Sequence, residues 1–140
     1  MRQQYETEKD RQNERAVAAA IESAWKLRMV KMPKSYHLDF ALTNEDNSLR
    51  GFIEIKCRKN NRYDYQTYMI SLSKVLMAKR LTEGTNLSSI LVVKWLDDIA
   101  WIYFNDSHTL GFGGRIDRND SADQEPVAFY RISDFKQLSI

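Results

Sequence analysis

The sequence predicts a mixed α/β domain, with elements in the order α-β-β-β-α-β-β and a late extra strand. Three observations predict it. Val17, Ala18, Ile21, Ala24 and Trp25 recur at helical spacing, Gly51 to Cys57 alternates strictly, and a second capped helical stretch sits between strand-like runs. At 140 residues, 43% apolar and 29% charged, the chain has the length and balance of one globular domain spanning 1–140. Such a domain buries a workable core without staples. Cys57 is the only cysteine, and His37 and His108 are the only histidines, which excludes disulfides and Cys/His metal cages. No apolar run approaches bilayer length, and Met1-Arg2-Gln3-Gln4 is no secretory leader. An intracellular, cytoplasmic protein without a membrane partner is therefore expected.

The first helix is expected from about Thr7 to Lys26, its opening turns polar and mixed in sign. Leu27–Met32, stopped by Pro33, and Tyr36–Leu42 each read as short strands. Thr43–Ser48 is turn chemistry throughout, and Gly51–Cys57 is the third strand. Arg58–Asp64 is a polar, basic loop. Ser71 caps a second helix running to about Thr82, with apolar Leu72, Val75, Leu76 and Leu81 and with Gly84 as its stop. Ser89–Trp95 and Ile99–Phe104 read as a hairpin turning at Asp97-Asp98. Asn105–Glu125, containing Gly111, Gly113 and Gly114, reads as a loop, and Val127–Ile132 as a last strand.

Charge is uneven along the chain. The net charge is +2, yet Arg50 to Arg80 holds eight Lys and Arg against only Glu54 and Asp64, so that stretch carries +6 and the rest −4. A basic middle between acidic flanks is an electrostatic footprint of the kind that meets phosphate, although a solvated helix face plus a loop would look the same.

Three acids break the apolar pattern around them. Glu54 and Lys56 share one face of a strand whose other face is Ile53, Ile55 and Cys57. With the preceding turn centred between Asp46 and Asn47, paired residue numbers in the hairpin add to about 93, and Asp39 faces Glu54. Two opposed carboxylates repel unless a cation sits between them, and a hard ion such as Mg²⁺ suits such oxygen ligands. Glu14 precedes Val17, Ala18 and Ile21 by three, four and seven positions, on the buried stripe of the first helix. Glu22 is rotated away from that stripe. Taken alone, Glu54 and Lys56 read as a cross-strand salt bridge. Asp39 at hairpin distance, Glu14 on the helix and the basic loop reverse that preference. A second acid-x-Lys triplet, Asp134-Phe135-Lys136, lacks such surroundings and reads as a surface turn.

Other chemistries lack their residues. No Ser or Cys sits in a Gly-x-Ser-x-Gly turn, and Gly111-Phe112-Gly113-Gly114 has no following Lys-Ser/Thr and no helix to form a phosphate loop.

The order of Glu14 in Asn13-Glu14-Arg15, Asp39 in His37-Leu38-Asp39, and Glu54-Ile55-Lys56 resembles the PD-(D/E)XK nuclease superfamily over roughly residues 10 to 104. Leu38 stands where the motif's proline would be. Within the superfamily the chain is similar to archaeal Holliday-junction resolvases, which share its length, the Glu-Arg helix start, the Asp strand and a following basic loop. Here Met32-Pro33-Lys34-Ser35-Tyr36 replaces their Arg-Ser-rich loop. Gly113-Gly114-Arg115-Ile116-Asp117-Arg118 is similar to small phage-encoded nucleases, whose setting is a host cell.

The resemblance implies a restriction-endonuclease-like αβββαβ core, a mixed sheet flanked by helices, with an extra C-terminal hairpin or strand. It implies a DNA endonuclease, with structure-selective cutting of branched or junction DNA as the finer expectation, whose Mg²⁺, replaceable by Mn²⁺, would be held by Asp39, Glu54 and the Ile55 carbonyl. Glu14 would act through water or a second ion, and Lys56 would orient the attacking water. The products would be a 5′-phosphate and a 3′-hydroxyl. Arg58, Lys59, Arg62 and Lys74 are the expected phosphate contacts, and Tyr63, Tyr65 and Tyr68 either stack on unpaired bases or pack under the loop. Cutting two strands needs two sites, so a homodimer is expected, with Trp95, Trp101 and Val127-Ala128-Phe129-Tyr130 as its surfaces or as core. The alternative is a nuclease-like fold that binds nucleic acid or a protein without catalysis.

Overall fold

The computed structural model of the chain describes residues 8–114 and 124–138. Helix α1 (Glu8–Trp25) carries Glu8 and Asp10 in its first turn, where carboxylates complement the positive helix end. Lys26 ends it in the left-handed region at φ 54°, its N–H donating to the Glu22 carbonyl at 2.8 Å. Strands β1 (Arg28–Lys31), β2 (Phe40–Thr43) and β3 (Leu49–Cys57) follow, then β4 (Thr67–Ser71), α2 (Leu72–Thr85), β5 (Ser88–Lys94), β6 (Ile99–Tyr103), β7 (Thr109–Gly114), β8 (Gln124–Arg131) and β9 (Lys136–Gln137).

Six strands form the main sheet in the order β1-β2-β3-β5-β6-β9. Only β3 and β5 run parallel, joined through β4 and α2, so the sheet is mixed. The αβββαβ core expected from the sequence is present, with β4 added ahead of α2. On one face Val17, Ala18 and Ile21 of α1 pack with Phe40, Leu42, Ile53, Ile55 and Val92. On the other, Val75 and Ala78 of α2 pack with Phe52, Leu91, Val93 and Ile102, and with Ile70, Ala128 and Tyr130 of a second sheet, β4-β8-β7. Ile21 is fully buried, a burial that stabilises by about 2 kcal/mol. Gly51 sits where β3 meets β5, and a Cβ there would stand 2.9 Å from the Ser88 carbonyl oxygen.

Several sequence expectations are corrected. The segment Tyr36–Leu42 is not strand from its start: Lys34–Tyr36 forms a 3-10 turn after Pro33, and His37 is left-handed at φ 62°. Strand geometry therefore begins only at Phe40, which leaves Asp39 on the approach to β2. Gly84 does not stop α2. The helix runs on to Thr85, and Asn86, at φ 59°, caps it with its N–H on the Thr82 carbonyl. The Ser71 cap is as expected, its hydroxyl accepting from the Ser73 N–H. Asn105–Glu125 is not loop throughout, because Thr109–Gly114 is β7, antiparallel to β8, with the Phe129 ring lying over Gly111. Residues 115–118 of the glycine-rich tail lie outside the described residues. Asp134-Phe135-Lys136 is more than a surface turn. Phe135 is buried and Lys136 begins β9, paired with β6. Among the described residues no helix is long and apolar enough to cross a membrane.

Candidate active site

The β2–β3 hairpin sets the geometry. Phe40 pairs with Ile53, Ala41 with Phe52 and Leu42 with Gly51, and Asp39 stands one residue ahead of that ladder, near enough to Glu54 for its charge to act on that carboxyl. The Asp39 N–H donates to the Ile53 carbonyl at 3.1 Å, and Asp39 Oδ2 accepts the Ile55 N–H at 2.8 Å. A strand residue points its C=O to the same edge as its N–H, so the Ile55 carbonyl lies on the Asp39 side. Ile53 and Ile55 point under α1, which turns Glu54 and Lys56 toward the α2 face.

Glu54 is 1% exposed. Its Oε2 lies 3.4 Å from Lys56 Nζ and 3.4 Å from Lys74 Nζ, while Oε1 is buried with no hydrogen-bond partner among the described residues. Burial first, then the neighbouring Asp39 charge, pushes the Glu54 carboxyl up to about 7, against the pull of the two lysines. A buried carboxylate beside another, with an oxygen left over, is a donor set suited to a hard cation.

Glu14 reaches this cluster by another route. Lys31, on β1, donates to Glu14 Oε1 at 2.5 Å and stands 3.7 Å from Asp39 Oδ1. The ammonium thus joins the α1 carboxylate to the hairpin one, over the Phe40 ring at 5.0 Å. Among the described residues no three His, Cys, Asp or Glu side chains converge as one metal-binding group. The structure brings Asp39, Ile55, Glu54 and Lys56 together and links Glu14 to them through Lys31.

Two lysines have roles that the sequence reading missed. Lys31 carried no signal beyond one charge ending a short strand. Lys74, expected on phosphate, instead ties α2 to the site by pairing with Glu54 and donating to the His37 carbonyl, next to the turn that delivers Asp39.

The basic loop divides. Arg58 and Lys59 are exposed, as are Tyr63 and Tyr65. Arg62 is not a phosphate contact in this structure, because its guanidinium is buried. It pairs with Asp98 at 2.8 Å and donates to the Ile132 and Phe135 carbonyls at 3.2 and 2.6 Å. Tyr68 is buried, with the Arg58 guanidinium 4.9 Å over its ring, so Tyr68 packs rather than offering a free face. Trp95, Val127, Ala128 and Tyr130 are core residues, not surface. Trp101 is half-buried and meets Trp25 and Tyr103 edge-on.

Three comparisons bear on this arrangement. The model of the family described as "Phage putative PDDEXK endonuclease" matches residues 1–138. Among curated proteins none matches the chain in sequence. Among solved structures, the chain is similar to Hjc, a Holliday junction resolvase from the archaeal hyperthermophile Archaeoglobus fulgidus. That likeness has a TM-score of 0.61 at 13% identity and covers 91% of this chain and 87% of that one. At such identity it shows the fold, a restriction-endonuclease-like one.

Proposed function

Because the chain belongs to the phage PDDEXK endonuclease family, we propose that it is a divalent-metal-dependent endonuclease that hydrolyses DNA within an infected cell. The observation that carries this reading is Glu54: a fully buried carboxylate near Asp39, with one oxygen shared by two ammonium groups and the other without a partner among the described residues. Asp39, Glu54 and the Ile55 carbonyl would hold Mg²⁺ or Mn²⁺. When bound, the cation supplies a Lewis acid for the scissile phosphate and lowers the pKa of a water molecule.

The chain's own groups do the rest. The Ile55 N–H fixes the Asp39 carboxylate. Lys56, a third exposed beside Glu54, orients the attacking water and offsets charge growing on the phosphate. Glu14 acts at one remove through Lys31. Arg58 and Lys59, exposed past the end of β3, hold the DNA backbone without reading sequence. Attack by water gives a 5′-phosphate and a 3′-hydroxyl. The fold shared with a Holliday junction resolvase supports a preference for branched DNA.

The test is incubation with supercoiled plasmid, linear duplex, single strand and a four-way junction, each with Mg²⁺, Mn²⁺ or EDTA. Cleavage abolished by EDTA, fastest on the junction, is expected. Failure to cleave any of the four would leave a fold that binds without catalysis.

A further inference from the structure

Past the carboxyl ends of the parallel pair β3 and β5 lies a cleft of about 380 Å³. Ligands favour this end of a parallel strand pair. Arg58 follows β3 directly, and its N–H donates to the Lys94 carbonyl at 2.8 Å; Trp95 follows β5. Both line the cleft, with Arg62, Tyr65, Thr67 and Tyr68.

Three features suit a flat, acceptor-bearing ligand attached to an anion. The Arg58 guanidinium is held 4.9 Å over the Tyr68 ring, so one face of the plane is braced, on a residue that is otherwise exposed. Tyr65, 68% exposed, lines both this cleft and a neighbouring one, and so offers a second stacking surface. The buried Arg62 Nε has no acceptor among the described residues. Nor does the buried Tyr68 hydroxyl, beside Arg58, make a hydrogen bond of ordinary geometry.

We propose that this cleft binds an unpaired nucleobase of the DNA substrate, stacked between the Arg58 guanidinium and Tyr65, with an acceptor edge toward Arg62. The inference rests on the DNA-nuclease reading above and adds to it a preference for substrates that can release a base. Arg58 stands four residues beyond Glu54 along the chain, about 13 Å, so the base lies a few nucleotides from the bond to be cut. A base has a π-face whatever its identity, so the cleft favours single-stranded or branched DNA over blunt duplex without reading sequence.

The test uses the full chain in EDTA, with a single-stranded oligonucleotide carrying 2-aminopurine and a blunt duplex of the same sequence. Binding is read by anisotropy and stacking by 2-aminopurine quenching. Wild type should quench the probe. Thr67→Trp, which fills the cleft from an exposed position, and Tyr65→Ala should each restore its brightness. Each should weaken single-strand binding by roughly fivefold or more, since a stacked base is worth ~1–3 kcal/mol. Duplex binding should weaken less. Thermal melts confirm that both variants fold. Unchanged brightness on wild-type binding, no single-strand binding, or equal losses on both DNAs would overturn the cleft. Wild-type cleavage in Mg²⁺ without quenching would sink the cleft alone. Quenching without cleavage of any DNA would sink the nuclease reading and leave the cleft standing.

Discussion

Ionised Glu54 is held at a cost to folding. Its carboxyl titrates at about 7 in the folded chain against 4.5 for a free one, with burial the main cause and Asp39 the second. Because the folded state holds the proton more tightly, the stability this group contributes is full below pH 4.5. It is lost as pH rises through 7. Glu54→Gln should therefore match wild type at pH 4 and exceed it at pH 8, by up to about 3 kcal/mol, in urea melts without divalent cation. The same variant, like Asp39→Ala, should abolish cleavage, while wild-type cleavage climbs as pH passes 7 and Glu54 becomes able to hold a cation. Variants destabilised at pH 8 would make the acids structural. Arg62 behaves in the opposite way. Its guanidinium satisfies Asp98 and two carbonyls inside the fold, and removing one partner of a buried pair leaves the rest uncompensated. Arg62→Ala should cost about 3 kcal/mol in a denaturant melt; a loss confined to DNA affinity would return Arg62 to the phosphate contacts.

Strand β3 positions the chemistry by how closely it approaches β5. Gly51 pairs with Ser88 at the start of that parallel ladder, and Glu54 lies three residues on, beside Leu91. A Cβ at 51 would press on the Ser88 carbonyl oxygen at 2.9 Å, a backbone atom that cannot rotate away. Gly51→Ala should thus destabilise by ~1–3 kcal/mol and lower cleavage beyond what the lost stability explains, because the ladder that carries Glu54 shifts. A melt paired with a plasmid assay at a temperature where the variant is fully folded separates the two effects. Helix α2 matters for the same reason: Lys74 fastens it both to Glu54 and to the turn before Asp39, so one helix holds the two halves of the carboxylate pair in relation.

For the whole molecule, assembly is the open consequence of the proposed function. The described residues offer one carboxylate cluster around Glu54, and cutting both strands of a duplex or junction takes two, which C2 pairing supplies. Trp95 and Tyr130 lie in the core and cannot serve as the contact. Among the described residues, Leu110 and Phe112 of β7 are two of the exposed large apolar side chains available in their place. Light scattering at tens of micromolar should give twice the 16.5 kDa chain mass. A mass staying at 16.5 kDa would rule out the stable dimer and predict nicking of one strand only.

What the sequence determined by itself was what local spacing encodes. The 3.6 period of Val17 to Ile21, the alternation through Glu54-Ile55-Lys56 and the TNEDNS turn fixed α1, β3 and the hairpin register, because each depends on residues a few positions apart. That register sets Phe40 against Ile53 and so delivers Asp39, just before the ladder, to the neighbourhood of Glu54. Only the tertiary structure decided which distant groups meet. Thr67–Ser71 has the composition of a strand or a helix lead-in, and β8, some sixty residues on, makes it a strand. Arg62 reads as one more charge of a basic loop until Asp98 and the Ile132 carbonyl enclose it. Lys31 and Lys74 look like surface lysines, and become parts of the site because the sheet edge and α2 carry them to Glu14, Asp39 and Glu54. Burial and charge partners depend on long-range packing, which no local period records.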